Sequence, residues 1–403
     1  MTRYLTIAAI ALILLGIGAG MYFFFFTGSS TVIVSPQGSS GLPAAGQGEP
    51  FVGEQNGEGG LSGQPGVPNP VSSRLVRISV GPIASGEAVV NIPATNASSS
   101  TEISVNYIER QSGNVFSYLV RGGTITRTSN RTVPGIESAS WHPSGALAFV
   151  RYLSGNDFST INTYGLPSNG SIGFFLAQNL ADIAVSSTSI LTLASGVNGS
   201  VASLSRTDGS RPSEIFTTPL SSLRIGFLGK SSYLAFTKPS SSLPGYAFIV
   251  DGAGRFSSIA GPLSGLVARP SPQGKWILIS SISGDTMQMQ LVNVASREIT
   301  LLPLGTIADK CVWKNDDSAI YCGVPVNPPR GYAYPDDWYQ GAVHFSDRVW
   351  KIDVASRYAQ LVLDFSEEAG DSVLDAEARA LDPLATTLVF LNRNDGSLWS
   401  FSL

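Results

Sequence analysis

The sequence predicts an all-β fold, a seven-bladed β-propeller, and three observations carry that prediction. One pattern recurs at a fixed spacing. Trp141-His-Pro-Ser-Gly-Ala-Leu-Ala-Phe149 is matched by segments 184–192, 227–235, 270–278 and 313–321, each starting 43 positions after the one before. Each reads as an apolar residue, a small or polar turn and a short apolar run. A period of roughly 40–45 with about four short strands per unit marks a propeller blade. The count then closes. A sixth match at 381–390 follows after 68 positions, one period plus 25, and residues 110–114 stand about one period before 152–156. Composition agrees: charged residues make up only 13% of the chain while Gly and Pro number 43 and 24, which suits many strands joined by tight turns.

The elements follow in chain order. Residues 5–26 carry no charge, and about 22 residues at ~1.5 Å rise span the hydrocarbon core of a bilayer. Arg3 precedes this stretch and no Lys or Arg follows before Arg74, so residues 1–4 are expected in the cytoplasm and the rest outside it. The expected location is a bacterial cell membrane, crossed once by an uncleaved signal anchor. A signal peptide cleaved near Gly18-Ala-Gly20 is the alternative. Residues 27–72 are rich in Gly, Pro, Ser, Gln and Glu without an apolar period, which predicts a disordered linker. The propeller is expected over 73–403. In its fifth unit, strands are predicted at 265–269, 275–281, 287–293 and 298–302. The second strand of each unit is nearly all apolar, as a strand packed on both faces must be. The last unit reaches only its third strand at 398–403, so segment 74–80 is expected to supply the fourth and close the ring.

The Trp-His-Pro-Ser-Gly-Ala-Leu-Ala-Phe unit at 141–149 resembles the TolB-type propeller repeat, whose core reads roughly W-S-P-D-G-x-x-L-A-F. Units 270–279 and 381–390 are weaker copies. The α/β domain that precedes the propeller in TolB itself is missing, so that protein's role in envelope integrity does not carry over. The layout is also similar to membrane-anchored bacterial surface propellers of unassigned function. The resemblance implies a fold and no active site.

Chemistry is sparse. Cys311 and Cys322 are the only two cysteines and lie symmetrically about the turn 314–317, so they should face each other across a hairpin at a separation a disulfide allows. Two buried thiols or a metal site are the other readings. The period leaves 327–347 as an insertion between the second and third strands of the sixth unit. It concentrates Tyr334, Trp338, Tyr339 and His344 with Asp336 and Asp337. Rigid aromatics beside carboxylates suit a glycan or peptide ligand. A self-packed flap over the central channel is the bland reading. With two histidines in the chain, and no nucleophile elbow, Walker loop, H-E-x-x-H or EF-hand pattern, no catalytic residue, metal or cofactor is expected. A net charge of −4 without any basic cluster argues against nucleic acid. The expected role is a monomeric, membrane-anchored module that binds an envelope protein or glycan. The alternative is a glycan-acting hydrolase or lyase with its site at the insertion.

Overall fold

The computed structural model describes residues 69–72, 74–92, 101–129, 131, 133, 135–369 and 373–403. These fall within one compact unit, 62–403. The expected membrane segment 5–26 and most of the 27–72 linker lie outside the described residues. No helix among the described residues is long and apolar enough to cross a membrane.

Seven antiparallel sheets follow one another along the chain, which makes this a seven-bladed β-propeller. The first six are four-stranded meanders spanning 88–129, 136–175, 180–218, 223–264, 267–301 and 311–364. The seventh joins Ala376–Leu381, Thr387–Asn392 and Leu398–Ser402 to Leu75–Arg77 from the other end of the chain. Register across that junction pairs Leu75 with Phe401, Val76 with Ser400 and Arg77 with Trp399. Asn69–Pro70 adds a fifth strand outside Leu75–Arg77. The expected linker therefore gives way to strand before residue 72. A proline is tolerated there because an edge strand leaves one row of N–H groups unused.

The repeat has a backbone cause. At the fifth position of the pattern the chain is left-handed at Gly145, Gly274, Asp317 and Ala385, with φ of 70°, 73°, 62° and 54°. A tight turn needs that conformation between the first and second strands, and glycine supplies it without steric cost. Asp or Asn at the end of the third strand then caps the next turn. Asn293 accepts from the N–H groups of Ala295 and Ser296, both at 2.9 Å, and Asp353 accepts from that of Ser356 at 2.8 Å.

The core lies between blade faces. Second strands are sandwiched on both sides: Ala319–Pro325 is buried at every position, as is Thr387–Asn392. One apolar cluster runs through blades four, five and six and includes Phe236, Ile279, Leu291 and Ile320. Trp338 and Phe345 of the insertion belong to the same cluster. The insertion is thus folded onto the ring, with one helical turn at Asp336–Tyr339. Cys311 and Cys322 are paired across their hairpin, Cα atoms 4.1 Å apart, and their sulfurs are joined.

Candidate functional site

The first strands of neighbouring blades contact one another at the inside of the ring, and several charged side chains meet on or beside them. Arg224 of blade four pairs with Asp309, which sits in the 3-10 turn Ala308–Lys310 just before blade six, at 2.7 Å. Glu377 of blade seven pairs with Arg379 at 2.8 Å and Arg393 at 3.4 Å. Above them a cavity of about 610 Å³ opens beneath the insertion. Its walls carry the cations Arg224, Lys238, Arg379 and Arg393, and the carboxylates Asp309, Asp336 and Glu377, with Tyr339 and Gln340 at the rim. Four cations against three carboxylates make a net positive pocket on a chain whose overall charge is −4.

Electrostatics hold these groups in fixed states. Burial alone would push the Asp309 carboxyl up, but Arg224, Arg269 and the Tyr339 hydroxyl outweigh it and hold the group well below the usual carboxylate range. Arg224 is reciprocally held above its ordinary value against the opposing effect of burial. The Tyr339 hydroxyl donates to Asp309 Oδ2 at 2.7 Å, and burial together with that carboxylate pushes the phenol well up. It stays protonated, with the Arg224 cation close by.

The six expected insertion residues do not share one surface. Tyr339 and Asp336 do line the cavity, Asp336 accepting hydrogen bonds from the Ser241 N–H at 2.9 Å and hydroxyl at 2.6 Å. Trp338 does not serve as an exposed anchor. It is fully buried, its indole N–H donates to Asp375 Oδ2 at 3.0 Å, and its ring stacks on Phe345 and lies 4.1 Å under the Arg393 guanidinium. The indole is drawn inward because only there do both its apolar body and its single donor find partners. Tyr334 is also buried and donates to the Pro329 carbonyl at 2.6 Å. Asp337 is used locally, accepting from the Ala333 N–H at 2.6 Å. His344 stands half-exposed outside the cavity, 3.9 Å from Asp375. Arg224, Lys238, Asp309, Glu377, Arg379 and Arg393 were not visible as a set in the sequence. They come from blades four, six and seven, and no local motif marks them.

No protein-family model and no curated protein sequence matches the chain. Solved structures do. Oligogalacturonate lyase from Vibrio parahaemolyticus is similar with a TM-score of 0.52 at 9% identity, over 81% of this chain and 93% of that one. An oligogalacturonate lyase in complex with manganese has a TM-score of 0.48 at 9% identity, over 79% of this chain and 98% of that one. The likeness is one of fold. The described residues contain no group of three His, Cys, Asp or Glu able to hold a metal, and the carboxylates of the cavity already have Arg or Ser partners.

Proposed function

We propose that this protein acts on an acidic oligosaccharide, bound in the cavity beneath the insertion and opened by elimination. The observation that carries this reading is the net positive cavity that holds Tyr339 beside the Arg224–Asp309 and Arg379–Glu377 pairs. A uronate needs its carboxylate neutralised, which Arg393, Arg379 and Lys238 supply from the walls. Elimination moves two protons: the one α to the uronate carboxylate passes to a base, the cavity carboxylate Asp336, which is bonded to Ser241 and not to a guanidinium group, and the departing glycosidic oxygen takes up another. Tyr339 holds one, and Arg224 beside it would offset part of the cost that burial and Asp309 put on the phenolate left behind. The resemblance in fold to propellers described as oligogalacturonate lyases supports the same substrate class, as an analogy of architecture.

The test is incubation of the purified full-length protein with polygalacturonate and other polyuronates, following the absorbance of the unsaturated product. Product is expected, and Tyr339→Phe should lower its rate by about 100-fold or more while leaving binding within a few-fold. Absence of both product and binding across the panel would overturn the reading.

A second reading is recognition without turnover, as an envelope binding or scaffolding module held at the membrane by segment 5–26. What favours it is that Asp309 and Glu377 are both tied to guanidinium groups, and that Arg224 and Arg269 hold Asp309 well below the usual carboxylate range in spite of its burial. Binding of a polyuronate without product would decide for this role. Protease added to intact cells should then free a fragment beginning within 27–68, and a propeller recovered only from the cytosol would refute the anchor.

A further inference from the structure

A second cavity, of about 360 Å³, has Val89, Arg269, Trp313, Arg379 and Leu381 in its walls. Arg379 lines both cavities. Four of the innermost segments run from one cavity to the other. On blade one Ser85 lines the first and Val89 the second; on blade four the pair is Arg224 and Phe227; in blade six Asp309 and Trp313; on blade seven Glu377 and Leu381. We propose that the two cavities are opposite mouths of one axial channel, and that its waist is a carboxylate subsite where Glu87 donates a hydrogen bond to an acidic group of the bound saccharide between Arg269 and Arg379. The class of ligand rests on the function proposed above.

Glu87 falls midway between Ser85 and Val89, and it is held there. The Ala139 N–H donates to the Ser85 carbonyl at 2.7 Å, and Trp141 Nε1 donates to the Gly86 carbonyl at 3.1 Å. A Cβ on residue 86 would lie 1.8 Å from the Ala139 oxygen, so only glycine allows this approach to blade two. Both carboxyl oxygens of Glu87 are closed to solvent and have no hydrogen-bond partner in the protein, and the same is true of Arg379 Nε and Trp313 Nε1. Buried polar atoms are almost always satisfied, so this waist suits a polar guest.

The charges that face Glu87 select the guest. Burial pushes its carboxyl up to about 8, with Arg379 opposing, Glu377 reinforcing and Arg269 opposing. Farther round the channel, Arg224 is neutralised by Asp309, and Arg151 stands near Asp182. Below about pH 8 the waist therefore presents a neutral O–H donor flanked by two guanidinium groups. A carboxylate can accept from all three. Once ionised, Glu87 repels the same guest.

The test uses two probes on the full-length protein, trigalacturonate and acetate, with binding measured by calorimetry at pH 6 and pH 9.5. The wild type should bind each about tenfold or more weakly at the higher pH. Glu87→Gln keeps a neutral donor and should bind equally at both. Glu87→Leu should lose about tenfold at pH 6 without loss of thermal stability. Wild-type binding by Glu87→Leu, or a pH dependence that survives in Glu87→Gln, would overturn the subsite. Glu87-dependent acetate binding without trigalacturonate binding would uphold the subsite and refute the saccharide reading. Trigalacturonate binding indifferent to Glu87 would do the reverse, and failure of both probes would refute both.

Discussion

Lys310 is fully buried, with its ammonium between Asp347, at 2.6 Å, and Asp375. It also lies 4.7 Å from the Phe345 ring. Asp375 in turn accepts from the Trp338 indole and, at 3.1 Å, the Phe345 N–H. One cation thus ties the insertion to blade seven. Removing it would leave two buried carboxyls facing each other, so Lys310→Met should cost about 3–5 kcal/mol in urea unfolding near neutral pH. Loss of under 1 kcal/mol would mean the cluster is solvated. The pH dependence has a definite sign. Burial, with Asp375 reinforcing and Lys310 opposing, pushes the Asp347 carboxyl up to about 7 from an ordinary 3.8. A raised acid contributes its full stability below its unfolded value and loses it as pH rises through the folded one. Asp347→Asn should therefore gain on the wild type between about pH 4 and pH 7, and a flat difference across that window would refute the assignment. Asp347 is the last residue of the stretch that the period leaves as extra chain. Lys310 was not, because a single lysine next to a cysteine has no pattern until the fold encloses it.

Among elements, the insertion separates into a buried anchor and an accessible rim. Trp338→Ala should open a cavity in the core and cost about 3–5 kcal/mol of stability. Tyr339→Phe removes one hydrogen bond to a carboxylate, which is worth about 1.5–3 kcal/mol. If the tryptophan variant instead melts like the wild type, the Trp338 indole is not part of the core. The period of 43 exposed the insertion as extra chain and its aromatic content as unusual. It did not say which aromatic faced inward, since Trp338 and Tyr339 are neighbours on one helical turn and their fates depend on what lies beneath. Strand positions fared better. The second and third strands expected at 275–281 and 287–293 are observed at Trp276–Ser283 and Thr286–Asn293. Repeated apolar runs and turn residues encode them locally.

At the scale of the molecule, the fold was legible and the channel was not. Blade number follows from counting a repeat. The channel charges come one to a blade on six of the seven blades, at Glu87, Asp182, Arg224, Arg269, Asp309 and Arg379, with about 40 or more residues between successive members. They become neighbours only when the ring is formed. Deleting 69–77 should leave Leu398–Ser402 with an unpaired edge, lower the melting temperature and promote association. A truncated chain that stays monomeric and melts like the parent would show that this pairing is dispensable. The same pairing sets an order of events during synthesis. Leu75 meets Phe401, a partner that the ribosome delivers more than 300 residues later. At roughly 5–20 residues per second, its early half waits on the order of tens of seconds with one side bare. Nascent chains stalled short of residue 398 are therefore the species for which a chaperone, or a neighbouring nascent chain, competes.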